Sequence, residues 1–278
     1  MRLAAPIFTA ALLLAAPAAA QDAERHLQEA AELFLQAERA KNTPYVRIGT
    51  IRQAIAEVEK AEAALNEPRA DVIGGKREMQ LSLAEAYLDD GESIQALDTL
   101  DAILAGFGGE VPTSGATAMQ YARALRLSIV AGFRGPAYDR GRTALAESVR
   151  FGRALVAGDP ANEYLMRNLA RDLTDEAFIR WVLGDNPGSD AAAAEALALW
   201  RQLYAAQPRS REAGNQLFVW MLHTAYARHD PALLIEAIEH AETLKQRQLF
   251  DREYEARLDA AIQRCPLRGV ERRCDHRW

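Results

Sequence analysis

Residues 79–104 read Met79-Gln80-Leu81-Ser82-Leu83-Ala84-Glu85-Ala86-Tyr87-Leu88-Asp89-Asp90-Gly91-Glu92-Ser93-Ile94-Gln95-Ala96-Leu97-Asp98-Thr99-Leu100-Asp101-Ala102-Ile103-Leu104. Two apolar stripes run through this stretch. Met79, Leu83, Ala86 and Tyr87 form one, and Ile94, Leu97, Leu100 and Leu104 the other. Both follow the 3.6-residue period of a helix with one apolar face. Gly91 separates them, and so short a break makes consecutive helices antiparallel neighbours. A helix with one apolar face is not stable alone in water, so each stripe requires a partner to cover it.

The same pattern extends in both directions. Leu27, Ala30, Ala31 and Phe34 form a stripe, as do Ile48, Ile51, Ile55 and Val58. Thr43-Pro44, Asp159-Pro160 and Asp230-Pro231 each read as an N-cap followed by proline in the first turn. Gly91, Gly135-Pro136, Gly184 to Gly188 and Gln207-Pro208 break the chain elsewhere. The spacing predicts eleven helices, near 22–41, 45–66, 76–90, 92–105, 115–133, 137–157, 161–183, 190–206, 209–228, 231–247 and 250–263. The glycine-rich stretch from Gly106 to Gly115 is the longest loop signal and a candidate subdivision. Aromatic residues make up only 7% of the 278, and no run alternates Val, Ile and Thr. An all-β fold is therefore excluded. The predicted fold class is all-α, with stacked antiparallel helix hairpins across 21–263. Phe250, Tyr254, Leu258 and Ile262 lie on one face of the last helix, which is expected to cap the open end of the stack.

Leu83, Ala84, Tyr87, Gly91, Ala96 and Leu100 stand at the spacing of the tetratricopeptide repeat, a 34-residue helix-turn-helix unit, and the stretch resembles it. Gly108 stands where that family closes its unit with proline. Ala196, Trp200, Leu203 and Pro208 are similar to the second half of such a unit. Ala56 through Ala63 to Pro68 looks like a third fragment, with Lys60 at the large apolar position. The helices after residue 115 are longer than the family's. The resemblance implies an α-solenoid whose groove binds a protein or peptide partner, with no cofactor. It also implies that Glu78, Leu81, Glu85 and Asp89 face that groove. Being acidic or apolar, they do not suit a C-terminal carboxylate and suit a basic or mixed ligand better.

Residues 1–20 read as an address. Arg2 precedes an apolar stretch from Leu3 to Pro17, and Ala18-Ala19-Ala20 offers a small-residue cleavage site before Gln21. The expectation is a signal peptide and an exported chain, periplasmic or secreted, starting at Gln21. No later stretch is apolar enough for stable membrane insertion. The two cysteines, Cys265 and Cys274, are then expected to form a disulfide closing the basic tail 264–278. With His276 they supply three metal ligands where a structural zinc site takes four, so metal is the lesser reading. The tail carries five arginines against Glu271 and Asp275, while the whole chain has a net charge of −6. A chain without a basic footprint is not expected to bind nucleic acid.

Trp181, Trp200 and Trp220, one per consecutive helix, read as packing between hairpins in preference to an aromatic groove. His223, His229 and His240 lack i, i+4 spacing and read as solvated. Asp89-Asp90 read as surface ion-pair residues, as do Asp172 and Asp175-Glu176, which share a helix with Arg167, Arg171 and Arg180. No nucleophile elbow, zinc-protease or phosphate-loop motif occurs. The expected function is a non-enzymatic scaffold or adaptor that binds a protein or peptide. The alternatives are a helical envelope enzyme with a groove active site, and a structural subunit of an envelope complex.

Overall fold

In the computed structural model, residues 18–109, 111–268 and 271–274 are described. Eleven α-helices occur among them: α1 (Ala18–Arg39), α2 (Pro44–Ala64), α3 (Ala70–Asp89), α4 (Ser93–Ala105), α5 (Gly115–Arg134), α6 (Tyr138–Gly158), α7 (Glu163–Val182), α8 (Asn186–Ala206), α9 (Arg211–Arg228), α10 (Pro231–Gln246) and α11 (Glu255–Arg264). The fold is all-α, built of helix hairpins. Helices α1 and α2, α3 and α4, α7 and α8, and α9 and α10 pack pairwise, and α2, α4 and α8 pack on the helix that follows. Helix α11 packs on α10, as a cap should, with Leu258 and Ala261 buried.

The chain divides into two compact units, one ending at Glu147 and the other starting at Ser148, within α6. The loop after Gly106, expected as a subdivision, lies inside the first unit. Its Phe107 packs edge-on against Tyr121 of α5 at 5.1 Å, under the Arg77 guanidinium of α3. Arg77 also donates to Gly106 O at 2.8 Å. A loop pinned to two helices is not a linker.

Ion pairs join alternate helices within each unit. In the first, Arg123 of α5 reaches Glu78 and Glu85 of α3, and Arg140 of α6 reaches Asp98 and Asp101 of α4. In the second, Arg171 of α7 reaches Glu212 of α9, and Arg201 of α8 reaches Glu236 of α10. The Arg123–Glu85 and Arg171–Glu212 partners lie 38 and 41 residues apart in sequence. First helices thus lie beside first helices and second beside second, at a step longer than the 34 residues of a tetratricopeptide unit. Helices of 20–21 residues such as α2, α3, α5 and α8 account for the longer step and for the missing strict period.

The quoted stretch forms the hairpin its spacing predicts. Ala84, Ala96 and Leu100 are fully buried, Tyr87 is buried, and Gly91 takes a left-handed φ of +81°. The stripe Ile94, Leu97, Leu100 and Leu104 loses its first member, because Ile94 is exposed at the start of α4 and Ile103 is buried instead. In α2 the buried positions are Arg47, Ile48, Ile51, Ala54, Val58 and Ala61. Ala56 and Lys60 face outward, so the third repeat-like fragment has no structural counterpart in that register. Helix α3 begins at Ala70, ahead of Gly74-Gly75. Gln120 Nε2 donates to Gly74 O at 3.0 Å, and Gly75 is buried. Asp230 caps α10 as expected, accepting from Ala232 N and Leu233 N. Asp159 does not cap α7. Asn162 does, and Asp159 accepts from the Asn162 amide at 3.0 Å. Where α5 meets α6, a Cβ on Gly132 would lie 2.4 Å from Gly141 Cα, so only glycine permits that approach.

Beyond α11 the Cys265 and Cys274 sulfurs lie at disulfide distance. The loop they close holds a two-residue antiparallel ribbon, β1 (Leu267–Arg268) with β2 (Glu271–Arg272), the only strands among the described residues. It was not legible in a tail read from its cysteines and charge. Of the expected signal peptide, residues 1–17 lie outside the described residues, and Ala18-Ala19-Ala20 open α1. Also outside them is His276, the third ligand of the lesser metal reading.

Candidate interaction surface

The α3 positions expected to face a ligand split into two kinds. Leu81 is fully buried and belongs to the core, which removes it from any open face. Glu78, Glu85 and Asp89 reach the surface, but basic side chains already engage them. Arg123 Nη1 donates to Glu78 Oε2 at 2.9 Å, and its Nε and Nη2 donate to Glu85 Oε1 at 3.2 and 2.7 Å. Gln120 donates to the other Glu78 oxygen at 2.9 Å. Arg47, at the start of α2, is only 5% exposed and sits among Glu38 at 3.1 Å, Asp89 at 3.3 Å and Glu85 at 3.8 Å. The face is a lattice of alternating charge that ties α2, α3 and α5 together. A basic ligand would have to displace Arg47 or Arg123, and that removes the reason for expecting one.

A different surface stands at the end of α7. Phe178, Trp181, Val182 and Leu183 are 56%, 58%, 52% and 50% exposed. The last three are the longest run of exposed large apolar residues among the described residues. The Phe178 and Trp181 rings lie 6.2 Å apart and are tilted by 38°. Arg180, between them in sequence, turns away and binds Glu176 and Asp185, each at 2.7 Å. This fixes the last turn and leaves the apolar side chains as its outer surface.

The two surfaces occupy matching places. Gly91 and Gly184 end their helices with left-handed φ values of +81° and +79°. Glu92 N donates to Tyr87 O at 2.8 Å, and Asp185 N to Arg180 O at 2.9 Å, the same six-residue closure. With the glycines superposed, Ala84 matches Ala177, and both are buried. Ala96 matches Ser189, whose hydroxyl donates back to Ala177 O at 2.8 Å and so marks an equally close helix approach. In this register Glu85 matches Phe178, and Asp89-Asp90 match Val182-Leu183. Positions that carry charge on α3 carry exposed apolar side chains on α7.

The remaining candidates are structural. Trp200 is fully buried and Trp220 nearly so, as expected, whereas Trp181 is exposed and does not pack between hairpins. It stands in the last turn of α7, beside the exposed Val182 and Leu183. Trp220 stacks on His223 at 5.3 Å. His223 and His229 face solvent. His240 does not: it is half-buried, lies 2.9 Å from Gly214 O and meets the Tyr204 ring edge-on at 4.8 Å. Burial lowers its pKa below 6.5. Asp172 is likewise buried, accepting from Ser148 Oγ at 2.5 Å, and does not lie on the surface. In the tail, Arg272 folds back to pair with Glu242 of α10, and the Arg264 guanidinium lies 5.0 Å from the Tyr226 ring centroid.

No family model and no curated protein matches the chain. Several solved structures are similar in fold. A putative kinesin light chain of Podosopora anserina, with nearly identical TPR-like repeats, is 16% identical with a TM-score of 0.49, covering 80% of this chain and 96% of its own. BtubC of P. vanneervenii is 16% identical with a TM-score of 0.45, covering 91% and 96%. The nuclear import adaptor Nro1 of S. pombe is 12% identical with a TM-score of 0.42, covering 86% and 99%. Among the described residues the chain's own helices describe an all-α fold of repeated helix hairpins.

Proposed function

We propose that this chain is a non-enzymatic helical-repeat scaffold that binds a protein partner through apolar anchors docking on the α7 surface. The observation that carries this reading is the exposed cluster Phe178, Trp181, Val182 and Leu183. Exposed apolar surface of this kind marks interaction sites, and aromatic residues dominate the energy of such interfaces. Its place supports the same reading, since it takes the positions that the charge lattice occupies on α3. The partner is a peptide or helix presenting leucine-like or aromatic side chains, in place of the basic ligand first expected.

We further propose that the protein works after export. The pattern of residues 1–20 supports this, and so does the cysteine pair at disulfide distance, which suits an oxidising compartment. Ala23 is the first buried core residue among the described residues, so cleavage before Gln21 leaves the described core of α1 whole. Among the described residues no helix is long and apolar enough to cross a membrane.

A photo-crosslinking residue placed at 181, in cells of the source organism, tests the binding reading. One predominant adduct is expected at 181 and none at exposed Lys60, on α2. Equal labelling at both positions, or none at 181, would overturn it. Cell fractionation with N-terminal sequencing tests export: a chain that keeps Met1 and stays in the cytoplasm refutes it.

A further inference from the structure

We propose that His26, Glu29 and Glu57 form a binding site for a divalent transition-metal ion of the Zn2+ class, clamping α1 to α2. The inference is independent of the α7 surface. His26 and Glu29 stand three residues apart on α1, where side chains share one face. Glu57 comes from α2, which packs along α1. One ligand atom from each residue lies within 4.8 Å of the other two. This is the only such His, Cys, Asp and Glu grouping among the described residues.

Two of the three ligands are already held in place. The His26 and Glu57 side chains are 16% and 12% exposed, and Nδ1 lies 2.7 Å from Oε2. Ligand bonds of about 2.0–2.2 Å at tetrahedral angles put donor atoms roughly 3.3 Å apart. The pair therefore needs to open by only a fraction of an ångström. Lys60 Nζ binds the other Glu57 oxygen at 2.5 Å, fixing the carboxylate and leaving Oε2 to point at the imidazole. Outer partners of this sort orient metal ligands. Glu29, on the exposed edge, closes the third side.

The donor set selects the ion. Calcium and magnesium take six or more oxygens, whereas one imidazole and two carboxylates suit zinc, cobalt or nickel. Two carboxylates balance the charge of a divalent cation. Three protein ligands leave a fourth position for water. Arg25 and Lys60 nearby oppose a cation and make the site exchangeable.

Calorimetric titration of the untagged chain with Zn2+ tests this, with Ca2+ as the contrasting ion. One Zn2+ per chain and a rise in melting temperature are expected, because a ligand held by both helices stabilises the folded state. His26→Ala should weaken binding by at least about tenfold, since outer-partner changes alone cost about 10–100-fold. Glu29→Gln removes a ligand on the exposed edge and leaves the half-buried pair intact. It should also weaken Zn2+ binding, and it keeps the test decisive if His26→Ala fails to fold. His229→Ala should change nothing. Three outcomes would each overturn the proposal: no Zn2+ binding, binding that neither the His26 nor the Glu29 variant weakens, or Ca2+ bound as tightly as Zn2+.

Discussion

Helices α3 and α7 end in the same way and meet solvent in opposite ways. Each closes on a left-handed glycine, and each brings a small residue against the following helix, Ala84 or Ala177. On α3, Glu85 and Asp89 are engaged by Arg123 and Arg47. On α7, Phe178 and Val182 stand exposed at the matching places. The difference teaches that in this fold the inner face of a hairpin is set by contact with its partner helix. The outer face is free to vary, and there α3 joins neighbouring helices while α7 leaves apolar side chains exposed.

Substitution should separate the two roles of tryptophan most strongly. Trp200→Ala, in the core of α8, should cost about 3–5 kcal/mol in chemical denaturation. Trp181→Ala should change stability by no more than about 0.5 kcal/mol, as surface changes do, yet abolish the crosslink-defined partner. A large loss of stability in Trp181→Ala would place that ring in the core and end the comparison.

The shared inner faces predict equal sensitivity. Ala84→Leu and Ala177→Leu should each destabilise by about 1–3 kcal/mol through overpacking. Thermal melts of the two variants check this. A neutral Ala177→Leu would mean that α7 and α8 do not approach as closely as α3 and α4.

Acid should act on the charged region and spare the apolar one. Burial raises the Glu38 pKa, but Lys41 and Arg47 outweigh it and hold the group below 4.5. A carboxyl with a lowered folded pKa contributes stability that is complete above the unfolded value and is lost as pH falls through the folded value. Stability should therefore decline as pH drops below 4.5, and Arg47→Met should make that decline shallower. The partly exposed lattice makes the cost of Arg47→Met at neutral pH only about 1 kcal/mol. Partner binding at α7 should vary little with salt, because apolar side chains and not charges make the proposed contact.

The smallest effect concerns helix ends. Gln248 follows α10 with a φ of +59°, where α3 and α7 use glycine. Gln248→Gly should raise stability by up to about 1 kcal/mol, measured by denaturation. No gain would mean that the side chain has a compensating role.

The sequence by itself determined the helices, their hairpin order and the buried faces. Apolar periodicity, caps and turn glycines act within a few residues, and Leu83 to Leu100 already held the close approach of Ala84 and Ala96. The cysteine pairing was legible for the same reason, being local. Tertiary structure alone decided which polar groups met. Arg123 lies 38 residues from Glu85, and Glu57 31 from His26, and no local pattern links residues so far apart. It decided as well that Leu81 is buried and Trp181 is not. Both are apolar residues on first helices, and only the presence or absence of a covering neighbour distinguishes them.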